Sequence, residues 1–311
     1  VWQVQRAHKG YVMKKRKNIC SAFVSLLVAW TLCSCSGGGE QPKTADTAKS
    51  ITVFCGSASK PAMEKIAPLF QRETGVEVNV IFGGSGTLLS QIELSKQGEI
   101  YLPGSPDYIS IASAKKLIID GSDRIVSYLV PAIVTPAGNP ANVRSLRDLT
   151  TPGVRVGIGN PKTVCLGLYT VELLEKNGLM EKVLGNVATF GASCSKTANL
   201  AAMNQLDAIV GWRVFHHWNP ERMELIPIAP ENIPRISYIP ISIPVYTKDT
   251  GLSKQFIDFV LSSKGKDIYK NLGYLADEQS ARAFAPNASI GGEYTLSDSY
   301  VDFIQHRWQK R

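Results

Sequence analysis

The sequence predicts an α/β protein built as two lobes, and three observations carry that expectation. At 311 residues the chain is longer than one average domain. Its 44% hydrophobic and 19% charged composition is that of an ordinary globular protein, which excludes wholly disordered and fibrous classes. Strand–turn–helix units recur along the body, the pattern of βα units around a parallel sheet. Six cysteines are too sparse for a disulfide scaffold.

The first segment stands apart in charge. Residues 1–34 hold Arg6, Lys9, Lys14, Lys15, Arg16 and Lys17 and no acidic residue. The whole chain carries a formal +8, whereas the remainder sets 28 basic against 26 acidic residues, a net +2. So balanced a body is a poor electrostatic footprint for nucleic acid, and no such partner is expected. Met13 opens the basic block Met-Lys-Lys-Arg-Lys-Asn, and an apolar run follows at residues 19–32. That run is shorter than the ~20 residues of a membrane span. Basic block, short apolar run and small residues together read as a secretory signal, with residues 1–12 as translated upstream sequence. Leu32-Cys33-Ser34-Cys35 resembles the bacterial lipobox, which makes Cys35 the lipid-bearing residue; a plain secretory signal with two incidental cysteines is the alternative. Residues 35–48 have tether composition.

The body begins with a strand at 51–55, the turn Gly56-Ser57-Ala58-Ser59, and a helix marked by Met63, Ile66, Ala67 and Phe70 at i, i+3, i+4, i+7. Thr74-Gly75 closes it. Residues 76–82 alternate as a strand, Gly83-Gly84-Ser85-Gly86 turns, and a helix runs from about 87 to 96. Further strands are expected at 155–158, 208–212, 225–228 and 236–246, and helices at 164–176, 196–205, 253–261 and 264–272. The long apolar runs at 126–135 and 236–246 are either crossings between lobes or ordinary buried strands. As crossings they divide the body into lobe 1, residues 49–129 plus 239–311, and lobe 2, residues 130–238. In the tail, Leu296, Tyr300, Ile304 and Trp308 recur every four residues, a helix expected to pack on the first lobe.

The turns at 56–59 and 84–86 each follow a strand and open a helix. Helix N-termini present unpaired N–H groups and the positive end of the dipole. Two such turns facing each other make an anion site, with serine hydroxyls as further donors; taken singly, each is equally a capping serine in a βα turn.

Phe82-Gly83-Gly84-Ser85-Gly86-Thr87-Leu88-Leu89-Ser90-Gln91-Ile92 resembles the molybdate-binding proteins of ABC transporters. So do Ser145-Leu146-Arg147-Asp148-Leu149, Pro152-Gly153-Val154-Arg155-Val156-Gly157-Ile158-Gly159-Asn160-Pro161, Asp207-Ala208-Ile209-Val210 and the stretch from 259 to 274. The resemblance covers roughly residues 50–275 and implies a type 2 periplasmic-binding-protein fold: two α/β lobes, two crossovers, and an oxyanion in the cleft. It implies a lipid-anchored monomer in the cell envelope that receives molybdate, or tungstate, for an ABC permease, without a cofactor and without catalysis.

Position by position, the resemblance makes Ser57 and Ser85 the first-lobe ligands. Ser59 and Gly86 are weaker candidates. In the second lobe Val164-Cys165-Leu166-Gly167 stands where the family has Val-Pro-Ala-Gly, so the Leu166 amide is expected to bind, with Cys165 as a departure that brings a thiol near the ligand. Val210 or Gly211 supplies a further amide, and Tyr238 a hydroxyl. A second departure is Ile100-Tyr101-Leu102-Pro103-Gly104-Ser105-Pro106, whose two prolines reshape the cleft edge. A donor-only site suits molybdate, tungstate or sulfate, which carry no proton at neutral pH; hydrogen phosphate requires an acceptor. A phosphate or sulfate receptor of the same fold is the alternative. A serine hydrolase is the remote one: Gly83-Gly84-Ser85-Gly86-Thr87 lacks the Gly-x-Ser-x-Gly spacing. His216 and His217, adjacent and on opposite faces if in a strand, offer no base and no metal cluster. Cys55, Cys165 and Cys194 permit one disulfide, Cys165–Cys194, or none.

Overall fold

The computed structural model describes residues 49–309. The expected signal, Cys35 and the tether lie outside the described residues, as do the side chains beyond residue 306. The first lobe opens with β1 (Ser50–Gly56), α1 (Lys60–Thr74), β2 (Glu77–Gly83), α2 (Ser85–Ser95), β3 (Ile100–Leu102) and α3 (Asp107–Ala114). Its sheet is parallel, in the order β2-β1-β3. The helical apolar period expected of α1 is the face that packs: Met63, Ile66, Ala67 and Phe70 are all buried. Gly75, at φ +74°, ends that helix in the left-handed conformation that glycine adopts without steric cost.

The long apolar run after residue 124 is two strands. β4 (Arg124–Leu129) and β5 (Pro131–Pro136) belong to different sheets. Pro131 has no N–H to donate, which suits a break between two ladders. The second lobe follows with β6 (Val156–Gly159), α4 (Cys165–Lys176), α5 (Met180–Asn186), β7 (Val187–Gly191), α6 (Cys194–Ala202), β8 (Ala208–Trp212), α7 (Val214–Trp218) and β9 (Met223–Ile226). Its five-stranded sheet runs β7-β6-β8-β5-β9, with β5 antiparallel to both neighbours. β10 (Arg235–Ile241) then pairs antiparallel with β4, so β4 leads the chain from the first sheet to the second and β10 leads it back. α8 (Thr250–Leu261) and α9 (Ser263–Asn271) return to the first lobe, where Phe256 and Phe259 meet Phe70 edge-on at 5.1 and 5.3 Å.

Two expectations are corrected here. His216 and His217 lie on α7, a short helix, not a strand, and His216 Nδ1 is 2.7 Å from the Met223 carbonyl oxygen. The tail does not settle on the first lobe. α10 (Glu278–Arg282), β11 (Ser289–Ile290) and α11 (Asp298–Gln309) pack on the second. Ala281, Ala285, Ala288 and Tyr300 share a core with Leu174 and Val183, and the hydroxyls of Tyr294 and Ser297 both donate to the Glu175 carboxylate on α4. The cause is a strand: β11 pairs in parallel with β10, Arg235 opposite Ser289, at the end of β10 next to the second lobe. An amphipathic period shows that a helix has an apolar face, not which surface covers it. Among the described residues no helix is long and apolar enough to cross a membrane.

Candidate functional site

Four helix starts converge where the lobes meet: the turn at Ser57–Ser59 leading into α1, then α2, α4 and α6. The first-lobe starts come from the paired strands β1 and β2, held in register with Gly56 opposite Gly83. The lobes touch directly there. The Ser195 N–H, in the first turn of α6, donates to Ser57 Oγ at 3.0 Å. The Gly86 N–H, in the first turn of α2, donates to the Thr163 carbonyl at 2.9 Å. Ser85 Oγ accepts from the Gly104 N–H at 3.0 Å, and the Tyr101 hydroxyl donates to the Ser85 carbonyl at 2.9 Å. Gly84 is required here: a Cβ on it would lie 2.7 Å from the Thr163 carbonyl oxygen and 2.9 Å from that of Ala192, both backbone atoms of the other lobe.

Cys165 fills the centre of this seam. Its sulfur is 3.8 Å from that of Cys194, and a Cβ on Gly104 would come within 2.5 Å of it. The nearby Ser85 hydroxyl and Leu166 amide favour its thiolate, against larger opposing causes. Its thiol is pushed well up from the ordinary cysteine range, first by the contact with the Cys194 thiol and then by burial, so it is neutral here. Among the described residues no carboxylate bonds to Ser57, Ser85 or Cys165; their partners are all neutral dipoles. Ser57 and Ser85 are 2% and 1% exposed, so a solute reaches them only when the lobes part.

Ser57, Ser85, Gly86, Cys165 and the Leu166 amide are thus brought together. The other expected ligands are not. Ser59 is fully buried and its hydroxyl faces Tyr269 of α9, inside the first lobe. Tyr238 stands against Gly291 and Tyr128, its ring centroid 6.3 Å from that of Tyr128. Its neighbour Ser237 points the other way and donates to the Gly104 carbonyl at 3.2 Å. Successive strand side chains alternate between faces, so only one of the two can look into the seam, and it is Ser237. Val210 and Gly211 are mid-strand residues of β8 opposite Ile133 and Ala132; the Val210 side chain belongs to the second-lobe core.

A family model described as bacterial extracellular solute-binding protein matches residues 51–275, more than half of the chain. The chain belongs to that family. It is 25% identical over 261 residues to the molybdate-binding protein ModA of Mycobacterium bovis, covering 82% of this chain and 97% of the relative. It is 23% identical over 320 residues to the sulfate-binding protein of Synechococcus elongatus, covering 91% and 90%. Among solved structures, the periplasmic molybdate-binding protein of Azotobacter vinelandii superposes with a TM-score of 0.63 at 16% identity, covering 73% of this chain and all of that one. The fold is that of the type 2 periplasmic binding proteins.

This extracellular solute-binding protein carries a second polar cluster at the same seam that the sequence did not reveal. Arg235, at the start of β10, is 3% exposed. Its Nη1 donates to Asp107 Oδ1 of the first lobe at 3.0 Å and its Nε to Glu172 Oε2 of the second at 2.7 Å. Its guanidinium stacks on the Tyr169 ring, 3.9 Å from the centroid. Burial works against the arginine charge, but the tyrosine and both carboxylates outweigh it and hold Arg235 above its ordinary range. Glu172 is held above the ordinary carboxylate range, chiefly by burial, with Arg235 opposing. One cation and two carboxylates leave no positive charge to spare. A lone arginine heading an apolar strand was the available signal, since a buried charge must be paired.

Nothing in the sequence marks the serine that caps α6, and Cys194 is expected there only as a disulfide partner of Cys165. Ser193 caps that helix, its Oγ accepting the Lys196 N–H at 3.3 Å. β7, Gly191 and the turn at 192–193 repeat the grammar of the two first-lobe turns, but β7 is short and was not recognised as a strand. Among the described residues no cluster of three or more His, Cys, Asp or Glu side chains could hold a metal ion.

Proposed function

We propose that the protein captures a deprotonated tetrahedral oxyanion, molybdate with tungstate as its near equivalent, between its lobes and delivers it to an ABC permease. Residues 1–35 are read as the signal and lipid anchor that hold it at the outer face of a membrane. The single observation that carries this is the meeting of four helix N-termini and two buried serines whose hydrogen-bond partners are all neutral. Such a cluster repels cations and welcomes anions. Hydrogen bonds to a charged acceptor are about twice as strong as neutral ones, so neutral donors suffice to hold a dianion. The direct contacts Ser195 to Ser57 and Gly86 to Thr163 are those a closed form makes. Capture is then hinge opening and reclosure about the β4–β10 pair, a shift of population toward the closed form.

The ModA relative supports molybdate; the Synechococcus relative supports sulfate as the second reading. Hydrogen phosphate fits less well, because it needs an acceptor for its proton and, among the described residues, no carboxylate bonds to Ser57, Ser85 or Cys165. Catalysis is not proposed: His216 is bonded to Met223 and His217 packs on Gly273, so neither serves Ser57 or Ser85 as a base. Calorimetric titration with molybdate, tungstate, sulfate and phosphate tests the proposal. Heat from phosphate and none from molybdate or sulfate would sink it.

A further inference from the structure

Two of the three described cysteines are built differently from the third. Cys55 lies inside β1, and its thiol donates to the Gly56 carbonyl at 3.4 Å with no sulfur beside it. Cys165 and Cys194 are the first residues of α4 and α6, and their sulfurs are 3.8 Å apart. A disulfide requires about 2.0 Å between sulfurs, so the two must approach further to bond. Both thiols are buried, and the face of Cys165 that would meet an oxidant is covered by Gly104 of the other lobe.

We infer that Cys165 and Cys194 form a reversible disulfide whose formation is gated by the opening of the lobes, so that a captured anion shields the pair. The gating clause rests on the oxyanion reading; the disulfide itself does not. With the lobes together, both thiols are buried and sealed. With the lobes apart, water reaches the first turns of α4 and α6, where the helix dipole favours thiolate. The Cys165 thiolate attacks one sulfur of a small oxidised disulfide and releases the first small thiol. The Cys194 thiolate then attacks the Cys165 sulfur of that mixed disulfide and releases the second. Two protein S–H bonds become one S–S bond, and the two electrons and two protons leave on the two small thiols.

The test is incubation of the full chain with oxidised glutathione, with and without saturating molybdate, followed by alkylation of free thiols and non-reducing peptide mapping by mass spectrometry. The expected product is a peptide pair linked through residues 165 and 194, accumulating several-fold more slowly with molybdate, while Cys55 is recovered alkylated. Cys194→Ser is expected to stop at a glutathione adduct on Cys165. Recovery of Cys165 and Cys194 as separate alkylated or glutathione-bearing peptides, or a link through Cys55, would overturn the inference. If the 165–194 link forms at one rate under both conditions, calorimetry with molybdate separates the causes. No molybdate heat means that the disulfide stands and the choice of molybdate as the shielding anion fails. Molybdate heat without protection overturns the gating.

Discussion

Two polar regions at the lobe seam solve opposite problems. Around Ser57, Ser85 and Cys165 there are helix ends and hydroxyls and no charged bonding partner. Around Arg235 there are three charges, paired with one another and stacked on a tyrosine ring. The comparison separates what binds from what holds. A buried arginine is the obvious place to look for an anion, yet its two carboxylates make that cluster net negative. The neutral helix ends are the region with positive potential to offer. Near-neutrality of the body, a net +2 without the first 34 residues, is consistent with affinity that comes from dipoles and not from lysine or arginine.

The largest expected effect breaks the charged side of the comparison. Arg235→Met leaves Asp107 and Glu172 buried and unpaired, at a cost of about 3–5 kcal/mol in a urea unfolding titration. Adding Asp107→Asn and Glu172→Gln to it should restore much of the loss. An Arg235→Met protein that unfolds at the wild-type midpoint would show that the cluster holds nothing.

Next come the neutral donors. Ser57→Ala and Ser85→Ala should each weaken oxyanion binding by about 1.5–3 kcal/mol, the range for a hydrogen bond to a charged group. By tenfold per 1.4 kcal/mol that is roughly ten- to a hundredfold in calorimetric Kd, with thermal unfolding little changed. Equal affinity in both variants would remove the serines from the site.

Gly84→Ala sharpens the role of closure. Its added methyl meets backbone oxygens of Thr163 and Ala192 only when the lobes are together. Affinity should fall by about tenfold (~1.4 kcal/mol) while the fold stays intact, and small-angle scattering should report a more open particle. An unchanged scattering profile and Kd would mean that the lobes do not part at that point.

The smallest effect is in pH. Glu172 is held above its ordinary pKa by burial, so the folded chain keeps a proton that the unfolded chain has released. Its contribution to stability is therefore complete below the ordinary glutamate value of about 4.5 and is lost as pH rises through the raised value. Unfolding midpoints measured upward from pH 4 should show this slope, and Glu172→Gln should flatten it.

The first-lobe units could be read from the sequence because their signals are local. A 3.6-residue apolar period placed α1, and strand–turn–glycine grammar placed β1, β2 and both serine turns. The crossing strands showed as long apolar runs because they are buried, and the expected lobe boundary at 129/130 falls beside the break at Pro131 that sends β4 and β5 to different sheets. What failed depended on direction or distance. Tyr238 and Ser237 differ by one position, which on a strand is the difference between opposite faces. Arg235 finds Glu172 and Asp107 at separations of 63 and 128 residues, which no local pattern reports. The tail was misplaced because its partner surface is chosen by β11, a strand of two residues.

One titration bears most directly on the claim that uncharged helix ends hold the solute. Wild type and the Ser57→Ala, Ser85→Ala double variant are titrated calorimetrically with molybdate, tungstate, sulfate and phosphate at neutral pH. The expected result is saturable heat from molybdate, or from another dianion that carries no proton, that disappears in the double variant. Saturable binding of such an anion that survives the loss of both hydroxyls, or binding of phosphate alone, would contradict it.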